Sequence, residues 1–260
     1  MISRYPETLK DFNVELAAGN LTKYSVIHKF GTNENVGTSF VPISRGGVYQ
    51  VPTTATALEV VSSDANDTAA GSGARTVTII GLDSNWVEVS QTVSMNGTTA
   101  VAIPTSLTRV YRATVATSGT YANAAAGSHA GTITVQGAGG GATWLQIYFT
   151  DFPRGQSQCG IYTIPSGKTG VVYFHYISVD SNKSADVVFF RRENADTVAA
   201  PYSAMKANIE LIGLSGIINL LDSASPQGPF VGPCDIGFMG KFGTGTGGIS
   251  VDYEIVLYNT

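Results

Sequence analysis

Imidazole is scarce in this chain, with His28, His129 and His175 its three histidines. None is spaced for metal or nucleophile chemistry: there is no HExxH, no GxSxG and no H-x-H pair. His28 stands in the apolar run YSVIHKF and His175 alternates with Tyr173 and Ile177, so both read as sheet residues. His129 lies in the small-residue loop GSHAG. Glycoside hydrolysis needs two converging carboxyl groups, and Glu88, Asp151 and Asp252 are isolated along the sequence. Asp64-Ala65-Asn66-Asp67 offers hard oxygen donors. It lacks the alternating donors and closing glutamate of a calcium loop, so an Asx-turn is the expectation.

The glycine-rich runs GAGGGA (137–142) and GTGTGG (243–248) could suggest phosphate cradles. Neither is followed by Lys-Ser/Thr or by a helix, and both lead into a predicted strand, so they read as loops. Trp86, Tyr111 and Trp144 could stack on sugars, although aromatics in strands more often form cores and cross-strand pairs. Cys159 and Cys234 are the two cysteines. They permit one disulfide but no disulfide framework, and buried free thiols are expected. No catalytic, cofactor-binding or metal-ligating residue is assigned, and no cofactor is expected.

The elements around these residues are strands. Thr76-Val77-Thr78-Ile79 alternates polar and apolar, and Val87, Val89, Gln91 and Val93 share one parity after Trp86. Asn96-Gly97 is the residue pair of a two-residue type I′ hairpin. In a predicted strand over 168–179, Val171, Tyr173, His175, Ile177 and Val179 share a face. In the last strand Ile249, Val251, Tyr253, Ile255 and Leu257 face one way, and Ser250, Asp252 and Glu254 the other. The expected fold is all-β, with jelly-roll-like β-sandwich units and an extended N-terminal arm. The arm occupies residues 1–50, with a short helix over Glu7 to Leu16 and a short strand over Tyr24 to Phe30. It either docks on a neighbour or wraps its own domain. A first β-sandwich unit spans 51–150 and a second, jelly-roll-like unit 151–260.

Charged residues make up 13% of the 260, about half the ~25% of an average globular protein. Sheets with Thr/Ser outer faces, or a surface covered by neighbours in an assembly, fit that figure. The net charge of −4, with no basic run, argues against nucleic acid. The N-terminal MISRYPETLKDF has no apolar segment of secretory type, and no run approaches the ~20 residues of a spanning helix. A soluble protein made in a cytosol, without a membrane partner, is the expectation.

Three segments carry a resemblance. HKFGTNENVGTSF (28–40), EVVSSDANDTAAGSGARTVTIIGLDSNWVEVSQTVSMNGTT (59–99) with RVYRATVATSG (109–119), and IYTIPSGKTGVVYFHYISVD (161–180) resemble stretches of tailed-bacteriophage virion structural proteins, including those of marine and cyanobacterial phages. The resemblance touches most of residues 28–180; the final 80 residues are similar only in strand style. It implies a non-enzymatic, many-copy component of a virion, assembled in the host cytoplasm. Its partners would be phage capsid or tail proteins and other copies of itself, with a trimer favoured. Within that class a capsid cement or decoration protein is favoured over a tail or fibre/adsorption-apparatus subunit. From another class, a carbohydrate-binding or depolymerase module stays open. A clamp-like arm predicts that deleting residues 1–45 leaves a folded β protein.

Overall fold

The computed structural model describes residues 11–120, 127–149, 155–221 and 226–260. One helix, α1 (Phe12–Ala17), precedes β1 (Tyr24–Val36) and β2 (Val41–Pro42). Then come β3 (Leu58–Ser62), β4 (Ala74–Leu82), β5 (Glu88–Ser94), β6 (Val101–Ala102), β7 (Arg109–Ser118), β8 (Ile133–Gly137) and β9 (Thr143–Ile147). The chain continues through β10 (Ile161–Ile164), β11 (Lys168–Val179), β12 (Ala185–Arg192), β13 (Lys206–Leu214) and β14 (Gly216–Leu221). It ends with β15 (Gln227–Val231), β16 (Cys234–Phe242) and β17 (Gly247–Asn259).

One sheet has the order β1-β17-β11-β14, with β15 also on β11; the other runs β10-β16-β12-β13, with β2 also on β16. Counting β2/β10 and β14/β15 as two interrupted strands, the first sheet takes strands 1-8-3-6 and the second 2-7-4-5. That alternation between sheets is the jelly-roll order. The interruption between β2 and β10 holds a second sandwich, whose sheets are β6-β3-β8-β9 and β5-β4-β7.

Strand alternation builds both interiors. In β17 the five residues predicted to face inward are all buried, and β1 lies antiparallel to β17 from Tyr24↔Tyr258 to Val36↔Gly247. Phe189, Phe238 and Tyr253 stack at the centre, with ring centroids 5.0 and 5.4 Å apart along the series. The inserted sandwich packs Leu58, Val60, Val77, Ile79, Ile133 and Val135 between its own sheets.

Four expectations need correction. The 1–50 arm and the 151–260 unit are not successive bodies, because β1 and β2 complete the two sheets that β10–β17 build. A β-strand edge leaves backbone groups unpaired, and Tyr24 onward satisfies that of β17 within the chain. Deleting residues 1–45 would therefore remove a sheet edge. Of the expected helix, the part before residue 11 lies outside the described residues; α1 covers Phe12–Ala17. In β11 the single inward parity fails, because the register with β17 shifts between Val172 and Phe174. A bulge there turns Val172 inward before it, and Ile177 and Val179 after it.

Asn96-Gly97 does not join a hairpin. β5 pairs with β4 and β6 with β3, so this turn carries the chain from one sheet to the other. Gly97 does take φ +60°, and Thr99 N–H donates to the Asn96 carbonyl at 3.1 Å. Ser62 N–H and the Asp67 carbonyl hold the backbone of Gly97. Tertiary contacts to that loop, and not strand pairing across the turn, fix its shape.

Candidate functional site: the junction of the two sandwiches

Of the charged side chains buried among the described residues, Lys29, Arg109 and Asp235 lie where the inserted sandwich meets the jelly roll. Arg109, at the start of β7, is fully buried and grips Asp235 of β16 with two bonds, Nε to Oδ1 at 2.9 Å and a terminal nitrogen to Oδ2 at 3.0 Å. Its remaining nitrogen donates to the Thr108 carbonyl at 2.8 Å, and its guanidinium lies 4.8 Å over Trp86. Asp235 also accepts from Thr163 of β10 and pairs with Arg192 of β12 at 3.2 Å. Thr163 in turn bonds the Tyr49 hydroxyl on the outgoing linker. Burial is the largest influence on Arg109 and opposes its charge, but the hydrogen bond and charge of Asp235, with Tyr49, together outweigh it and raise the guanidinium pKa. Burial, with the Asp235 charge behind it, pushes the Tyr49 phenol well up.

A second cluster lies at the edge of β1. Lys29 is on the inward parity of that strand at 1% exposure, and its Nζ donates to the Tyr111 carbonyl of β7 at 2.7 Å. Burial lowers its pKa to about 7. It lines a cleft of about 200 Å³ with Glu88, Tyr111, Arg112 and Tyr162. Glu88 accepts from both Tyr111 and, at 3.3 Å, Tyr162, whose rings meet edge-on at 4.6 Å. Burial is the main cause raising both phenols. Arg112 donates to the His28 carbonyl at 2.7 Å and lies 4.3 Å over Phe30. The returning linker closes the same edge: Cys159 N–H bonds the Phe30 carbonyl at 3.1 Å. The approach is tight enough that a Cβ on Gly31 would stand 2.1 Å from Gly160 N.

These groups have the types that do acid–base chemistry, but each is committed to a partner across the junction. What they achieve physically is a fixed attachment. Buried hydrogen-bonded pairs of this kind are costly to break, about 3–5 kcal/mol when one partner is removed.

The residues weighed for chemistry from sequence are scattered. His28 Nε2 lies 2.6 Å from Asp252 Oδ1 on the solvent face of β1 and β17. His129 sits between Ser128 Oγ at 2.8 Å and the Tyr148 carbonyl at 3.0 Å. The side chain of His175 and all of Asp151 lie outside the described residues. No bond links Glu88 with Asp252; the first is in the junction and the second on the open sheet face. Trp86, Tyr111 and Trp144 are buried, so none presents a ring to a sugar. Trp86 reaches the jelly-roll core from a turn in which it adopts φ 61°.

Asp64 makes the Asx-turn, accepting from Asn66 N–H at 2.8 Å. Asp67 is fully buried and receives Ser62 Oγ and the N–H groups of Ala74, Ala130 and Gly131. Four donors turned toward one carboxylate leave no room for a cation. The GAGGGA loop does form an anion-binding nest at Gly139 and Gly140, with φ +76° and +77°. Its occupant is Glu59, whose carboxylate takes both N–H groups at 3.0 and 2.9 Å. The bond from Gln136, and then these two, lower the Glu59 pKa. Cys159 and Cys234 are buried free thiols, the latter pushed up to about 12 by burial.

Sequence reasoning missed Lys29, Arg109 and Asp235. The available signal was a charged residue inside an otherwise apolar strand, as in YSVIHKF and PCDIGF.

No family model matches the chain. No curated protein matches it. Among solved structures, it is similar at 13% identity and TM-score 0.21 to an isomalto-dextranase of Arthrobacter globiformis T6, covering 86% of this chain and 36% of that one. The chain thus spans about a third of that enzyme. Infectious bursal disease virus, Gx strain, gives 11% identity and TM-score 0.20 over 91% of this chain and 76% of that one. The VP2 subviral particle of the same virus gives 10% and 0.18 over the same shares. TM-scores of this size leave the fold assignment to the strand order itself.

Proposed function

We propose that the chain is a non-enzymatic structural subunit of a tailed-phage virion, and specifically a capsid cement or decoration protein. The observation that supports this reading most directly is the junction. Buried Lys29, Arg109 and Asp235 are spent on locking an inserted sandwich to a jelly roll. A rigid two-part block is what a subunit needs to transmit force between neighbours without deforming.

The low charge and the resemblance of residues 28–180 to virion proteins point the same way. The insertion covers the jelly-roll edge at β1 and β10. On the other edge, β13 and β14, Ile212 and Ile217 are 75% and 66% exposed and available for subunit contact. Residues 24–42 are committed to intramolecular pairing, so any clamping by the N-terminus falls to the residues before β1.

Cryo-electron microscopy of particles carrying this chain tests the reading. Density on the shell, with copies related by capsid symmetry, is the expected result. Density on the tail would transfer the chain to the adsorption apparatus. Absence of the chain from purified virions would end both readings.

A further inference from the structure

The outer face of the β1-β17-β11 sheet holds a cleft that the structural role does not use. Two hollows of about 430 and 630 Å³ share Thr32 and Ser250 and together run across this face. Both volumes fall in the range of small-ligand sites. The strand register orders the floor into rows. Asp252 of β17 stands between Phe30 of β1 and Tyr176 of β11, and Ser250 stands between Thr32 and Ser178. Strands lie about 4.8 Å apart, so two aromatic side chains flank one carboxylate over the width of a short oligosaccharide.

The returning linker forms one wall with Gln156 and Gln158. Gln158 is 4% exposed, lines this cleft, and has no side-chain hydrogen bond among the described residues. Its amide is open to the cleft, where it can donate to and accept from a ligand hydroxyl. The Tyr176 hydroxyl likewise has no protein partner among the described residues.

We infer that this cleft binds a neutral oligosaccharide. Amide, hydroxyl and carboxylate groups match sugar hydroxyls as donors and acceptors, and an aromatic side chain offers an apolar surface to the sugar C–H face. The charge lining the two hollows is acidic, from Asp252, Asp180 and Glu34. The nearby cations are engaged: His28 with Asp252, Arg112 with Phe30, and Arg45 with Glu34 at 2.7 Å. Uronic-acid and sulfated glycans are therefore disfavoured. This site stands apart from the virion reading, which survives intact if the site fails.

The test uses the full chain and a panel of neutral tri- and tetrasaccharides of glucose, galactose, mannose and N-acetylglucosamine, with their uronate counterparts. Saturation-transfer NMR finds binders and calorimetry ranks them. At least one neutral member is expected to bind, ahead of its uronate form. Tyr176→Ala and Asp252→Asn, each with an unchanged melting temperature, are expected to weaken it by about tenfold or more, the equivalent of ~1.4 kcal/mol. Gln158→Met serves as a third variant should either fail to fold. Absence of binding across the panel overturns the inference, as does binding undiminished in the folded variants or a preference for uronates.

Discussion

Replacing Lys29 with methionine is expected to change how the stability of this protein varies with pH. The side chain is buried, with a folded-state pKa near 7 against 10.5 when unfolded. The unfolded chain therefore binds the extra proton between those values, and stability rises with pH across that window. Below pH 7 both states are protonated and the whole penalty applies, about 5 kcal/mol for 3.5 pKa units at 1.36 kcal/mol each. Linkage gives the wild type a gain of roughly 2–3 kcal/mol from pH 6 to pH 9 that the variant lacks. Methionine also removes the donor to the Tyr111 carbonyl, a loss of about 1–3 kcal/mol that does not vary with pH.

Cys234, Tyr49, Tyr111, Tyr162 and Tyr253 have pKa values raised by burial, so they stabilise the fold below their unfolded pKa values and lose that contribution at higher pH. They act alike in both proteins and cancel in the difference. The groups coupled to Lys29 are Cys159, Arg112 and Glu88, and all remain in the variant. Urea unfolding of both proteins at pH 6, 7, 8 and 9 supplies the measurement. Two stability curves that run parallel over this range would refute the argument that Lys29 is buried with a depressed pKa.

Four further outcomes are expected. Asp235→Asn leaves the buried Arg109 guanidinium without its counter-charge and is expected to cost about 3–5 kcal/mol by chemical denaturation; a loss under 1 kcal/mol would mean that the junction is not held there. Gly31→Ala forces a Cβ against the backbone of Gly160 and Ile43, and a melting temperature unchanged from wild type would disprove that close approach. Gly97→Val places a branched side chain at φ +60° and 3.1 Å from Ala65 Cα, for a loss of roughly 1–3 kcal/mol in a thermal melt. Deleting residues 1–20 removes α1 and is expected to leave a cooperative thermal melt, whereas deleting 1–45 is expected to abolish the cooperative transition; a cooperative melt for the longer deletion would contradict the role of β1.

The sequence by itself determined the elements and much of their facing. Period-two alternation in 249–258 placed every inward residue of β17, because a strand with one buried face must repeat with period two. Local turn chemistry was legible in part: the Asx-turn at Asp64 is decided by near neighbours in the chain, and Gly97 takes its positive φ in a turn that contacts with Ser62 and Asp67 shape. Short strands such as β14 and β15 escaped notice, one a six-residue run without period-two alternation and the other interrupted by Pro229.

Tertiary structure decided what depends on partners far along the chain. Nothing local in Tyr24–Val36 says that its partner is Gly247–Asn259, so an edge strand read as an arm. The sequence does not say that Arg109 would meet Asp235 across 126 positions or that Lys29 would meet Tyr111 across 82. The bulge in β11 is a property of its register with β17, not of its own residues. Charge pairing and strand pairing are set by the topology that joins the two sandwiches, and that topology exists only once the chain has closed on itself.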